Sequence, residues 1–307
     1  MNKKQITQQV VYHNKKHHHH HHGEVTEQTI KYLFISFLIN IFLSCLELIG
    51  GVISGSASLI GDALHNTSDA FSILIAVMAF KIGRKKANHC YTYGFKRAEV
   101  IGGFVNLILL FIAGCYLLIE GFVRLFRPEP IAGGLIIGIS LVALIIDAVT
   151  AKLSHADSHH NTNMRMVFVH NLADALGSVG VIISGICMLI WDVVWIDGFV
   201  ALCIAGYMIY HAVYGFLPVV RILMNAAPLH LSVDEIKNTL ERIEGVCEIH
   251  HIHIWQINET DISFNCHIVS ENLDVVPVLQ QVLADKFGIC HSNIQVEKTV
   301  ACQTCHL

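Results

Sequence analysis

Six stretches of this 307-residue chain are apolar over about the 20 residues that a helix needs to cross hydrocarbon. They run roughly over 31–53, 57–80, 100–122, 132–151, 166–190 and 196–217. The connections are short, so the pattern predicts a membrane α-helical bundle of six transmembrane helices with both termini on one side. From about Pro228 hydrophobicity falls and the periodicity changes. Ser232-Val233-Asp234-Glu235 reads as a capping box opening a helix that ends near Gly245. Residues 247–257 and 261–269 alternate and are rich in branched side chains, as paired strands are. A second helix over 273–287 and a last strand over 293–298 complete an α-β-β-α-β order. That order predicts a C-terminal α+β domain with its helices on one face of a small sheet. The expected division is an arm at 1–30, a six-helix domain at 31–226 and a soluble domain at 227–307.

Composition supports the membrane reading, with 53% hydrophobic and only 14% charged residues and a mean hydropathy of +0.54. Lys3, Lys4, Lys15 and Lys16 in the arm, and Lys81, Arg84, Lys85, Lys86, Lys96 and Arg97 after the second run, assign those segments to the cytoplasm. The first and fifth loops hold no lysine or arginine, so both termini are expected to be cytoplasmic. No cleavable signal is expected, because the first apolar run follows a His-rich arm and continues for a full span. The net charge of −4 gives no footprint for nucleic acid. Cys45, Cys115, Cys187 and Cys203 read as small apolar packing residues, and the tail cysteines as thiols facing a reducing cytosol. His17 to His22 read as a natural, weakly metal-gathering arm in preference to an inserted tag.

Two apolar runs carry the same interruption, His65-Asn66-Thr67-Ser68-Asp69 and His170-Asn171-Leu172-Ala173-Asp174. Residues four apart share a helix face, so each motif presents an imidazole beside a carboxylate. Two such faces meeting offer two nitrogens and two oxygens, a tetrahedral set suited to Zn²⁺. A lone motif is explained as well by hydrogen bonds between helices. Its duplication, at about 2.5–3.5 kcal/mol for each charged group in mid-membrane, favours a metal site. Asn40, Glu47 and Asn106 read as contacts between helices, Asp62 as a support of the first motif, and Asp147 as a group lining the metal route or carrying a proton. Metal and protons compete for the same ligand atoms, and a free imidazole titrates near pH 6.5, so Zn²⁺/H⁺ exchange needs no added cofactor. No Walker A loop is present to couple ATP. Two rivals remain: a membrane metalloenzyme, which lacks His-Glu-x-x-His and would have no open metal position, and a zinc receptor that signals without flux. Cd²⁺ and Co²⁺ are expected as minor substrates.

The tail is rich in metal-type ligands. Regular alternation puts His250 on the face of Ile252 and Ile254, and His251, His253 and Trp255 on the other, so one strand is not expected to gather all three histidines.

Residues Gly50 to His65, Tyr93 to Val100 and His170 to Gly180 resemble the first two spans, the second cytoplasmic loop and the fifth span of the cation diffusion facilitator family. The chain is similar above all to its zinc-transporting branch, the bacterial zinc efflux facilitators. The resemblance implies a homodimer in a bacterial plasma membrane, exporting Zn²⁺ against H⁺ through His65, Asp69, His170 and Asp174. It implies a ferredoxin- or metallochaperone-like cytoplasmic domain that binds metal and dimerises. There it selects His250 and His267, with His291, Glu297, Cys302 and Cys305 as further ligands. Two positions depart from that branch: Asp147 stands where Asn is usual, and Lys96 where some relatives place a loop histidine.

Overall fold

The computed structural model describes residues 27–83, 85–127, 131–158 and 162–298. Six long helices come first: α1 (Glu27–Ser54), α2 (Ala57–Gly83), α3 (Ala98–Phe126), α4 (Gly133–Ser158), α5 (Thr162–Trp191) and α6 (Trp195–Leu223). At 1.5 Å per residue each is about 39–45 Å long, more than the roughly 30 Å of hydrocarbon in a bilayer. Among the described residues, five of them carry a window of at least 18 residues apolar enough to cross a membrane. α2 is of similar length and carries Asp62, His65, Asn66 and Asp69 in its first half.

The polar helix occupies the protected position. α2 packs against α1, α3, α5 and α6, and Ser56, Ser58, Asp62, His65, Asn66 and Ser68 are all buried. Large apolar side chains such as Phe42, Ile53, Ile119 and Leu217 point outward from its neighbours. The remaining contacts depend on close approach. A Cβ on Gly198 of α6 would lie 2.9 Å from the Gly121 carbonyl of α3, and one on Gly133 of α4 would lie 2.9 Å from the Gly185 carbonyl of α5. Glu47 of α1 accepts from Asn66 of α2 at 2.8 Å, and Asn106 of α3 donates to Ser72 of α2 at 2.6 Å, so both act between helices.

One end of α2 is held by a single carboxylate. Asp197, in the first turn of α6 and fully buried, accepts from the Ser56 hydroxyl at 2.6 Å, the Ala57 amide at 2.7 Å, the Ser58 amide at 3.2 Å and the Ser58 hydroxyl. These are amides that a helix start leaves without an intrahelical partner, so the cap comes from a neighbouring helix. Arg124 of α3 pairs with Glu120 and donates to the Gly55 carbonyl at the same end.

The C-terminal domain has the order α7 (Val233–Glu241), β1 (Glu248–Gln256), β2 (Ile262–Val269), α8 (Val275–Phe287) and β3 (His291–Glu297). Ser232 caps α7 by accepting from the Glu235 amide at 3.4 Å, and Gly288, at φ 68°, ends α8. The sheet runs β1-β2-β3, antiparallel then parallel. Both helices cover one face, where Ile236, Leu240, Ile249, Phe264, Ile268, Leu279 and Leu283 form the core. β1 slips register between His250 and His253, and His251 takes a left-handed backbone at φ 53°. The slip puts both Ile249 and Ile254 in the core although they are five residues apart. This overturns the alternation read from the sequence: His250 lies on the open face, not beside Ile254. Lys96 reaches Asp261 in the β1–β2 turn at 3.0 Å and so ties the loop before α3 to this domain.

Asp197→Ala leaves the Ala57 and Ser58 amides without this acceptor and the buried Ser56 and Ser58 hydroxyls with only each other. We expect a loss of about 3 kcal/mol, seen as a lower thermal midpoint in detergent. An unchanged midpoint would show that α2 does not depend on this cap.

Candidate metal centres

Helical spacing sets the first site. His65 and Asp69 stand one turn apart on α2, and His170 and Asp174 one turn apart on α5. The two helices bring His65 Nε2 to 3.2 Å from Asp174 Oδ1, with Asp69 Oδ2 at 3.6 Å. One ligand atom from each of His65, Asp69 and Asp174 lies within 4.8 Å of the other two. His65 and Asp174 are 7% and 9% exposed, whereas the Asp69 side chain is 23% exposed and gives the cluster an open side. The His65 ring meets the Tyr207 ring of α6 edge-on at 5.5 Å. His170 is within α5, but its side chain lies outside what the structure describes.

A second polar layer adjoins the cluster. Ser178, one turn beyond Asp174, places its hydroxyl 3.4 Å from Asp62 Oδ2 of α2 and 3.3 Å from Asp147 Oδ2 of α4. One hydroxyl proton serves two carboxylates there. Asp62 and Asp147 therefore adjoin the His65 cluster without entering it. Ser178 was not singled out in the sequence as their common partner. Asp197 was also passed over, although a lone acid opening an apolar run, with Ser56 and Ser58 at the start of another, was the available signal.

The second site is on the open face of the C-terminal sheet. Antiparallel register sets His250 opposite His267, and the parallel pair sets Glu297 opposite Val269, two residues along on the same face. His267 Nδ1 is 2.9 Å from Glu297 Oε1, and His250 Nε2 is 3.4 Å from Glu297 Oε2. Ligand atoms of the three residues lie within 4.8 Å of one another. His250 Nδ1 and Nε2, His267 Nδ1 and Glu297 Oε2 are buried atoms with no hydrogen bond of acceptable geometry. Two imidazoles and a carboxylate that converge without satisfying one another fit a zinc ion. His291 does not join them, since it opens β3 opposite Ser263, about 20 Å along the strand from Glu297. Cys302 and Cys305 lie outside the described residues. Cys266 is a core residue of β2, and burial pushes its thiol up to about 12.

Residues 33–224 match the profile of the cation efflux transmembrane domain, and residues 228–299 that of the cation efflux protein cytoplasmic domain. The chain is 31% identical over 290 residues to a cadmium, cobalt and zinc/H(+)-K(+) antiporter of Bacillus velezensis, a match covering 89% of this chain and 92% of the relative. It is 29% identical over 267 residues to the zinc transporter ZitB of Escherichia coli, covering 85% and 83%. Among solved structures, the metal-bound C-terminal domain of the CzcD transporter from Cuprividus metallidurans is 33% identical, covering 22% of this chain and 99% of that one, with a TM-score of 0.21.

The thiols offer a direct check on this packing. At pH 8 a group titrating near 12 holds almost no thiolate, so Cys266 resists maleimide in the folded protein while exposed Cys247 and Cys290 react. Peptide mapping after labelling should show Cys266 modified only after denaturation. Equal labelling of all three in the native state would contradict the buried position.

Proposed function

The chain belongs to the cation efflux family, and on that premise we propose that it exports Zn²⁺ from the cytoplasm in exchange for protons, alternating access around His65, Asp69, His170 and Asp174. The observation that carries this reading is the convergence of His65, Asp69 and Asp174 within 4.8 Å between two long helices of the bundle. His170, one turn before Asp174, supplies the second nitrogen. Two carboxylates balance one divalent ion, which removes much of the cost of holding either charge in hydrocarbon. Protons arriving from the far side compete for the same atoms and release the metal. The absence of thiolate from the set suits a site that must let go of its cargo.

The relatives support this choice. Cadmium, cobalt, zinc and H⁺ stand together in the name of one, and zinc in that of another; Cd²⁺ and Co²⁺ follow as minor cargo for a nitrogen-and-oxygen site. Both are named as transporters or antiporters, which favours neither a metalloenzyme nor a receptor without flux. α2 is then the second of six spans, kept from lipid by its neighbours. Both termini face the cytoplasm of a bacterial plasma membrane, and two copies pair through the C-terminal domain, as the cytoplasmic-domain match suggests. His250, His267 and Glu297 hold a resident zinc there, with Cys302 and Cys305 completing its shell.

Uptake of external ⁶⁵Zn into proteoliposomes under an imposed pH gradient tests the transport site. Asp174→Ala is expected to lower uptake at least about tenfold, as lost metal-site partners do, and an ionophore that collapses the gradient should lower it as far. Equal uptake by the variant would overturn the site, and uptake indifferent to the ionophore would overturn proton coupling. Replacing Cys302 and Cys305 by Ser separates two roles for the resident zinc. Loss of dimer at every zinc level marks a structural ion, and an unchanged dimer with a shifted zinc dependence of transport marks a sensing one.

A further inference from the structure

The slip in β1 does more than return Ile254 to the core. It leaves the His251 ring 4.5 Å from His253 and, across the sheet, 4.7 Å from His267. Left-handed backbone at a residue other than glycine is uncommon and gathers at functional positions. Nε2 of His251 and Nε2 of His253 are 3.2 Å apart. Two imidazole nitrogens bound to one zinc at about 2.0–2.1 Å with a tetrahedral angle stand about 3.4 Å apart, so the pair is nearly at the spacing a metal requires. A hydrogen bond between one neutral ring and the other also fits that distance, and it is the arrangement a metal would displace.

Accessibility distinguishes this pair from the neighbouring triad. His250, His267 and Glu297 are half-buried and include a carboxylate, whereas His253 is exposed and β1 forms an edge of the sheet. Neutral imidazoles without a carboxylate select borderline divalent ions over Mg²⁺ or Ca²⁺ and bind them more weakly than a charged set does. Water would complete the shell and leave the ion free to exchange.

We propose that His251 and His253 form a second divalent transition-metal site, distinct from the His250–His267–Glu297 triad and open to exchange with solvent. The bulge preorganises it, since it supplies the left-handed residue that turns the two rings toward each other.

The test is zinc binding to the full-length protein in detergent, with His17 to His22 replaced by serine so that the arm contributes nothing. Binding is followed calorimetrically and compared for the parent, His251→Asn, His253→Gln and Glu297→Gln. Asn tolerates the left-handed backbone, and His253→Gln leaves the bulge residue untouched and decides the matter if His251→Asn fails to fold. Each histidine variant is expected to weaken one exchangeable ion per chain at least tenfold while leaving the tightest ion in place. Glu297→Gln is expected to weaken a different ion. Unchanged stoichiometry and affinity in His253→Gln would overturn the proposal, as would loss of the same ion in His253→Gln and Glu297→Gln.

Discussion

Hydrocarbon offers no hydrogen bonds, so polar groups along α2 that its own turns do not satisfy must find another helix, and this requirement organises the bundle. Asp197 of α6 takes the amides and hydroxyls at one end of the helix. Glu47 of α1 takes Asn66, Ser178 of α5 meets Asp62, and Asn106 of α3 reaches Ser72. Through these contacts the polar half of α2 is held among its neighbours, which present apolar surfaces outward. The metal-type cluster is one more instance of the same requirement: His65 is buried against Asp174 because neither can face lipid.

Much of this was legible in the sequence because it follows from period and spacing. Six helices, the α-β-β-α-β tail and the pairing of His65 with Asp69 all come from repeats of four or of two. Partners remote in the chain were not legible. Nothing local in Asp197 announces that it caps a helix starting 140 residues earlier, and nothing in Asp62 or Asp147 names Ser178 as the hydroxyl they share. Membership of the His65 cluster was readable only as far as helix faces go; the 3.2 Å approach of Asp174 depends on how α2 and α5 cross.

The tail shows where pattern reading fails for a definite reason. Alternation assumes that every strand residue advances the pleat by one step, and a bulge inserts a residue that does not. In β1 the insertion reverses the faces after His251, so Ile249 and Ile254 share the core and His250 stands on the open side with His267 and Glu297. The composition of the strand, with three histidines among Ile249, Ile252 and Ile254, contains the side chains for both faces but not the point at which they exchange.

The cap on α2 also has a mechanical meaning. With its first turn fixed to α6 by Asp197, a rigid α2 has a fulcrum, and displacement grows along its length. At 1.5 Å per residue His65 is about 12 Å from Ala57 and Gly83 about 39 Å away. A tilt of about 10° then carries His65 only about 2 Å, a distance on the scale of one metal–ligand bond, while the far end sweeps about 7 Å. Such a lever could open a passage for an ion at one mouth of the bundle while the ligands themselves barely part.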